Sequence, residues 1–121
     1  MAPTESRWRE SQKMTKYLLI ESRDPFESND VGFCHDLARR LAAEGNQVIL
    51  YLVQNGVLPA RSGVLASGLG ELVQAGIEVL ADDFSLKERG ISASRLQAGV
   101  KPSPLDVVVD GLAEGCKVIW H

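Results

Sequence analysis

No CxxC or CxxH pattern occurs in these 121 residues, and the two cysteines, Cys34 and Cys116, stand far apart. A cysteine-built zinc site and a disulfide framework are both unsupported. No segment reaches the ~18 consecutive apolar residues of a membrane span. The stretch Met1 to Lys16 carries Arg7, Arg9 and Lys13 without the apolar run of a signal peptide. An excess of basic charge is missing too, since thirteen basic against sixteen acidic residues leave a net charge of −3. Nothing in that balance attracts phosphate backbones or anionic lipid. Nucleic acid and membrane are not expected partners, no metal or cofactor is expected, and the cytoplasm is the expected location.

What is present is 45% hydrophobic and 24% charged, the proportions of one globular domain. A chain of this length buries roughly two-thirds of its unfolded surface, enough for a core without staples. Residues 1–15 are polar and lack a hydrophobic period, so they read as an extension with Trp8 as its one aromatic, and the domain is expected over residues 16–121.

Tyr17-Leu18-Leu19-Ile20 is a short continuous apolar run, the mark of a strand covered on both faces, followed by the polar loop Glu21 to Asn29. A helix is expected from Ser28-Asn29-Asp30, with Val31, Cys34, Leu37, Ala38 and Leu41 on its apolar face and a stop at Glu44-Gly45-Asn46. Gln47 to Val53 reads as a second buried strand, and its exit, Gln54 to Pro59, holds an Asn-Gly pair suited to a tight turn. Leu65, Leu69, Leu72 and Val73 place a second helix ending at Gly76, Ile77 to Ala81 a third strand, and Ser85 to Arg89 a short helix capped at Gly90.

Ile91 to Lys101 is weakly patterned and reads as a short strand or turn. Asp106 to Asp110, DVVVD, has strand propensity, but Ser103 as N-cap, Pro104 as first helical residue and the spacing of Leu105, Val108, Val109 and Leu112 predict a helix. Lys117 to Trp120 is the last strand, with His121 after it. The alternation predicts an α/β fold: a flavodoxin-like three-layer sandwich with a mostly parallel sheet of about five strands and helices on both faces. Ligands of such sheets gather at the carboxyl ends of the strands. Asn55, Gly56, Asp82 and Asp83 are therefore the candidate binding residues.

The first loop, Glu21 to Glu27, has no glycine and three acids, which excludes a Rossmann or P-loop phosphate cradle. Cys34 and His35 are adjacent on a helix and diverge by about 100°, so Cys34 reads as a small core hydrophobe and His35 as a solvated or capping side chain. Cys116 lacks an evident activating cation beyond Lys117 and reads as structural. Asp82 and Asp83 are the residue types of a metal or acid/base pair, but no third ligand is visible, and a cap for the helix near Ser85 is the favoured role. Lys87, Arg89, Arg95 and Lys101 read as a solvated basic face, with a ring around the same end of the sheet as the alternative.

KYLLIES, LARRLAAEGNQV, VQNGV, IEVLADDFSLKERGI with a following GV, and GLAEGCKVIWH, in this order, resemble the DsrE/TusD-like sulfur-relay proteins from Lys16 to His121. The resemblance implies a persulfide-carrying cysteine after the third strand, a few residues before an Arg-Gly-hydrophobic element. That element is Arg89-Gly90-Ile91, which puts Asp82 or a neighbour at the cysteine's place, and no cysteine lies between Ile77 and Ile91. A carboxylate has no sulfur to oxidise or transfer. The implied reading is a non-catalytic sulfur-relay-associated subunit or binding module. The alternatives are a persulfide carrier using Cys116, or less readily Cys34, and a flavodoxin-like binder unrelated to sulfur. The resemblance also implies a homo-oligomer, trimer or hexamer, or a hetero-oligomer with related subunits, and a sulfur-carrier partner. Pro104 to Glu114 and Trp8 are the expected contacts.

Overall fold

The structure is a computed structural model that describes residues 15–64 and 67–121. The expected extension before Thr15, Trp8 within it, and Leu65 of the second expected helix lie outside the described residues. Among the described residues, five strands form one sheet: β1 (Lys16–Glu21), β2 (Gln47–Leu52), β3 (Glu78–Asp82), β4 (Val100–Ser103) and β5 (Lys117–Trp120). Their order is β4-β3-β2-β1-β5, and every neighbouring pair is parallel. Four α-helices among the described residues connect them: α1 (Val31–Ala43), α2 (Leu69–Gln74), α3 (Asp83–Glu88) and α4 (Asp106–Ala113).

Strand side chains alternate between faces, and the core divides accordingly. Leu19, Leu50, Leu52, Val79 and Ala81 pack with Cys34 and Ala38 of α1, Leu69 and Leu72 of α2, and Leu86 of α3. Leu18, Ile20, Ile49, Tyr51 and Leu80 point the other way, toward Val107 and Val108 of α4. The expected α/β sandwich with helices on both faces is what forms. The crossover after β1 runs over one face and the crossover before β5 over the other, so the topological switch point lies between β1 and β5.

Several local expectations change. Gln54 to Pro59 is no tight turn but the start of a 3₁₀ helix, Gln54–Ala60, with Gln54 at φ 52° and Pro59 inside it. Ser103 and Pro104 do not open the last helix. Ser103 pairs with Asp82 as the final residue of β4, and α4 begins three residues later. Glu21, expected in a loop, completes β1 opposite Leu52 and is 1% exposed. DVVVD is helical as expected.

Candidate functional site

Parallel strands place all their carboxyl ends on one edge of the sheet. Along that edge two groups of polar side chains gather, one at the end of β3 and one at the ends of β1 and β5.

At β3, pairing sets Tyr51 beside Leu80, so Tyr51 and Asp82 share the α4 face two residues apart along the strand direction. The fully buried Tyr51 donates its hydroxyl to Asp82 Oδ1 at 2.7 Å. Asp82 Oδ2 accepts from the backbone N–H of Ser85 at 2.9 Å and its hydroxyl at 2.7 Å, which is the expected cap, although α3 starts at Asp83 rather than Ser85. Burial pushes the Tyr51 phenol up, and the Asp82 carboxylate that accepts its proton adds to the rise. Asp83 is exposed in the first turn of α3.

The 3₁₀ helix after β2 lies against these residues. Gln54 N–H donates to Ser85 Oγ at 2.8 Å. Asn55 Oδ1 accepts from Arg89 Nε at 3.2 Å and Arg89 Nη2 at 3.1 Å. Held this way, Arg89 lines an open cavity of about 510 Å³ with Arg61, Arg95, Leu58, Ser62 and Ile91. Arg89 and Arg95 are thus not simply a solvated basic face. With Arg61, which the sequence reading missed, they converge on one concavity.

At the other end, Leu19 faces α1, so Glu21, two residues on, faces α1 as well. Ile20 pairs with Trp120, which puts His121 next to Glu21 one step further along the ladder. His121 N–H donates to Ile20 O at 2.8 Å, and Ser22 N–H donates to His121 O at 2.9 Å. The imidazole Nδ1 and Glu21 Oε1 are 2.7 Å apart, while Glu21 Oε2 accepts Arg23 N–H at 2.9 Å. From α1, Cys34 brings its thiol to the same carboxylate. The three donor atoms of Glu21, Cys34 and His121 all lie within 4.8 Å of one another. Gly56 approaches the backbone of the same strand end, where a Cβ would overlap the Glu21 carbonyl oxygen.

Cys34 is buried on the apolar stripe, as expected. Burial, reinforced by the charge and hydrogen bond of Glu21, pushes its thiol up to about 12. His35 is not a solvated side chain. It is 8% exposed, because α1 is covered on this flank where Gly68 comes close, and its pKa is lowered chiefly by burial.

Cys116 directly precedes β5, at the amino edge of the sheet beside Lys16, the first residue of β1. It packs, half-buried, on the α4 side of the core. Burial raises its pKa to about 11 despite the opposing pull of Lys16, with Glu114 adding to the rise.

The sequence profile of the DsrE/DsrF-like family matches residues 15–121. The chain belongs to that family. Solved structures with this fold include MTH1491 of Methanobacterium thermoautotrophicum, a protein of unknown function, with 22% identity and a TM-score of 0.76 over 90% of this chain and 100% of that one. The ychN protein of E. coli matches at 20% identity and a TM-score of 0.80, over 89% of this chain and all of its own. BT1422 of Bacteroides thetaiotaomicron, described as a conserved protein of unknown function, matches at 16% identity and a TM-score of 0.72, over 88% and 94%. At these identities the likeness establishes the fold. No curated protein matches the sequence. Among the described residues no helix is long and apolar enough to cross a membrane.

Proposed function

We propose that this DsrE-family chain is a non-catalytic, cytoplasmic binding subunit associated with sulfur relay. The observation that carries the reading is the placement of its thiols. The end of β3 holds Asp82, committed to Tyr51 and Ser85. Cys116 lies at the amino edge of the sheet, away from the strand ends where ligands of such folds collect. Neither thiol has the depressed pKa that makes cysteine a nucleophile at neutral pH. The binding function resides at the β3 end, where Arg61, Arg89 and Arg95 favour an anionic group on a small ligand or partner. Asn55 serves there by positioning Arg89.

The assembly part of the reading is a homo-oligomer, trimer or hexamer, or a complex with related subunits, contacting a sulfur-carrier protein. Leu105, Val109, Leu112 and Trp120 support it, since all four are more than half exposed on α4 and the edge strand β5. Incubation with a persulfide donor, followed by intact-mass measurement, tests the catalytic half. No stable adduct of about +32 Da is expected, and one that disappears in Cys116→Ser overturns the reading. Light scattering tests the other half, which a monomer at micromolar concentration overturns.

A further inference from the structure

Glu21, Cys34 and His121 come from sequence positions too scattered for any ligand-spacing pattern, yet the fold brings them to one point. We propose that they form a binding site for a borderline divalent cation, with zinc as the best fit. The site lies at the crevice between β1 and β5 and goes beyond the proposed binding role at β3.

Three features of the geometry argue for it. First, the spacing suits a metal. Zinc–ligand bonds of about 2.0–2.3 Å imply donor separations of about 3.3–3.6 Å in a tetrahedron. The present separations bracket that, from 2.7 Å between His121 Nδ1 and Glu21 Oε1 to no more than 4.8 Å within the set. Small shifts of side chains alone close the site.

Second, the scaffold is fixed. Glu21 and His121 are held by the β1–β5 ladder and its continuation through Ser22. Cys34 is held by α1, through its N–H to Asp30 O. Glu21 Oε2 is anchored on Arg23 N–H, which leaves Oε1 to face the metal as a single donor with its second oxygen already hydrogen-bonded.

Third, the charges cancel. A carboxylate, a thiolate and a neutral imidazole bonded through Nδ1 balance a divalent cation, so the buried site carries no net charge. On binding, the Cys34 S–H bond breaks, the sulfur–metal bond forms and the proton passes to solvent. The Nδ1 proton that bridges His121 to Glu21 Oε1 is also given up to solvent, and the neutral ring keeps its single proton on Nε2, which frees the Nδ1 lone pair for the metal. The thiolate and imidazole select zinc or cobalt over magnesium or calcium, which prefer oxygen ligands. Three protein ligands leave the fourth tetrahedral position for water.

Cobalt(II) is the probe for the test. Full-length, metal-stripped protein titrated with Co²⁺ is expected to show tetrahedral d–d bands and a thiolate-to-cobalt charge-transfer band at one equivalent per chain, reversed by Zn²⁺ and unaffected by Mg²⁺. Cys116→Ser should keep the charge-transfer band and Cys34→Ser should lose it. His121→Gln, outside the hydrophobic core, should weaken Zn²⁺ binding by more than about tenfold, as read by competition with a chromophoric chelator. The proposal is overturned if Co²⁺ produces no band, if the band follows Cys116 instead of Cys34, or if His121→Gln binds Zn²⁺ as tightly as the parent. A circular-dichroism melt confirms that each variant remains folded.

Discussion

Replacing Gly56 by alanine adds one methyl group at the tightest point of the carboxyl edge. Gly56 has ordinary negative φ, so left-handed strain plays no part. The problem is space. The new Cβ would overlap the Glu21 carbonyl oxygen and stand 3.0 Å from its carbonyl carbon, at the limit that real Cβ contacts respect. Both partners are backbone, so no rotamer change relieves the clash, and the 3₁₀ helix must move away from β1. That same carbonyl oxygen accepts Val53 N–H at 2.9 Å, so the movement also stretches a buried hydrogen bond. Overpacking costs about 1–3 kcal/mol and a lost hydrogen bond about 0.5–1.5 kcal/mol, together about 3 kcal/mol. For a domain of this size that corresponds to a fall in Tm of roughly 10–15 °C.

Gly32→Ala is the control. It is exposed near the start of α1, and an added Cβ meets nothing within 4 Å. Alanine there should leave stability unchanged or raise it by up to about 1 kcal/mol. Urea and thermal melts of both variants decide the matter. If Gly56→Ala melts within about 2 °C of the parent, the close approach of the 3₁₀ helix to Glu21 is not a feature of the folded protein.

His35 resists protonation in the folded state because of burial, with Arg39 adding to the effect, while unfolded chains take up that proton near 6.5. The unfolded state therefore gains protons first, and stability present above pH 6.5 should decline as the pH falls below it, by at most about 1.4 kcal/mol per pH unit. Urea unfolding in chelator at pH 7.5 and 5.5 should show the decline, and His35→Gln should flatten it. The thiols should separate by accessibility as well as pKa. In metal-free buffer at pH 7.5, iodoacetamide should modify half-buried Cys116 slowly and Cys34 only on unfolding, and equal rates by peptide mapping would contradict their placement.

The sequence exposes those features that repeat with a regular period. Leu18 to Ile20 and Gln47 to Leu52 are buried on both faces, and the apolar runs that hold them read as strands from composition alone. DVVVD reads as helix against its propensity from the Ser103-Pro104 flank and the spacing of Leu105, Val108, Val109 and Leu112. The helix forms, but Ser103 and Pro104 do not open it, and Val107 meets the core while Leu105, Val109 and Leu112 are exposed. β4 was hardly legible, since VKPS contains a proline tolerated only because the strand lies at the sheet edge, and pairing with β3 alone defines it. Ser103 and Pro104 mimic a helix start for the same reason. They carry the right residue types, but the ladder with Asp82 claims Ser103 first. The Glu21, Cys34 and His121 cluster was invisible because its members meet only through register. The available signal was a glutamate ending an apolar strand and a histidine ending another, which become neighbours once β1 and β5 are paired.

Asp82 is a structural residue in its own right, and this constrains how sulfur chemistry could be installed at the end of β3. Asp82→Cys would place a thiol at or beside the position that the family resemblance implies for a persulfide-carrying cysteine. It would also remove the acceptor of three donors at once, the Tyr51 hydroxyl and the N–H and hydroxyl of Ser85. Losing the cap on Ser85 N–H costs about 1 kcal/mol. The Tyr51 hydroxyl is fully buried, and its other acceptor, Ser103 O, is distant at 3.4 Å. Stranding a group that had bonded a carboxylate costs a further 1.5–3 kcal/mol or about that. Phenylalanine at position 51 removes the stranded hydroxyl, so Asp82→Cys with Tyr51→Phe should be more stable than Asp82→Cys alone. Tyr51→Phe alone should cost less than the single cysteine variant, because Asp82 keeps both bonds from Ser85. A double-mutant cycle in urea measures that coupling. Additive costs would show that the Tyr51 and Asp82 bond contributes nothing, and would remove the structural reason for an acid at this position.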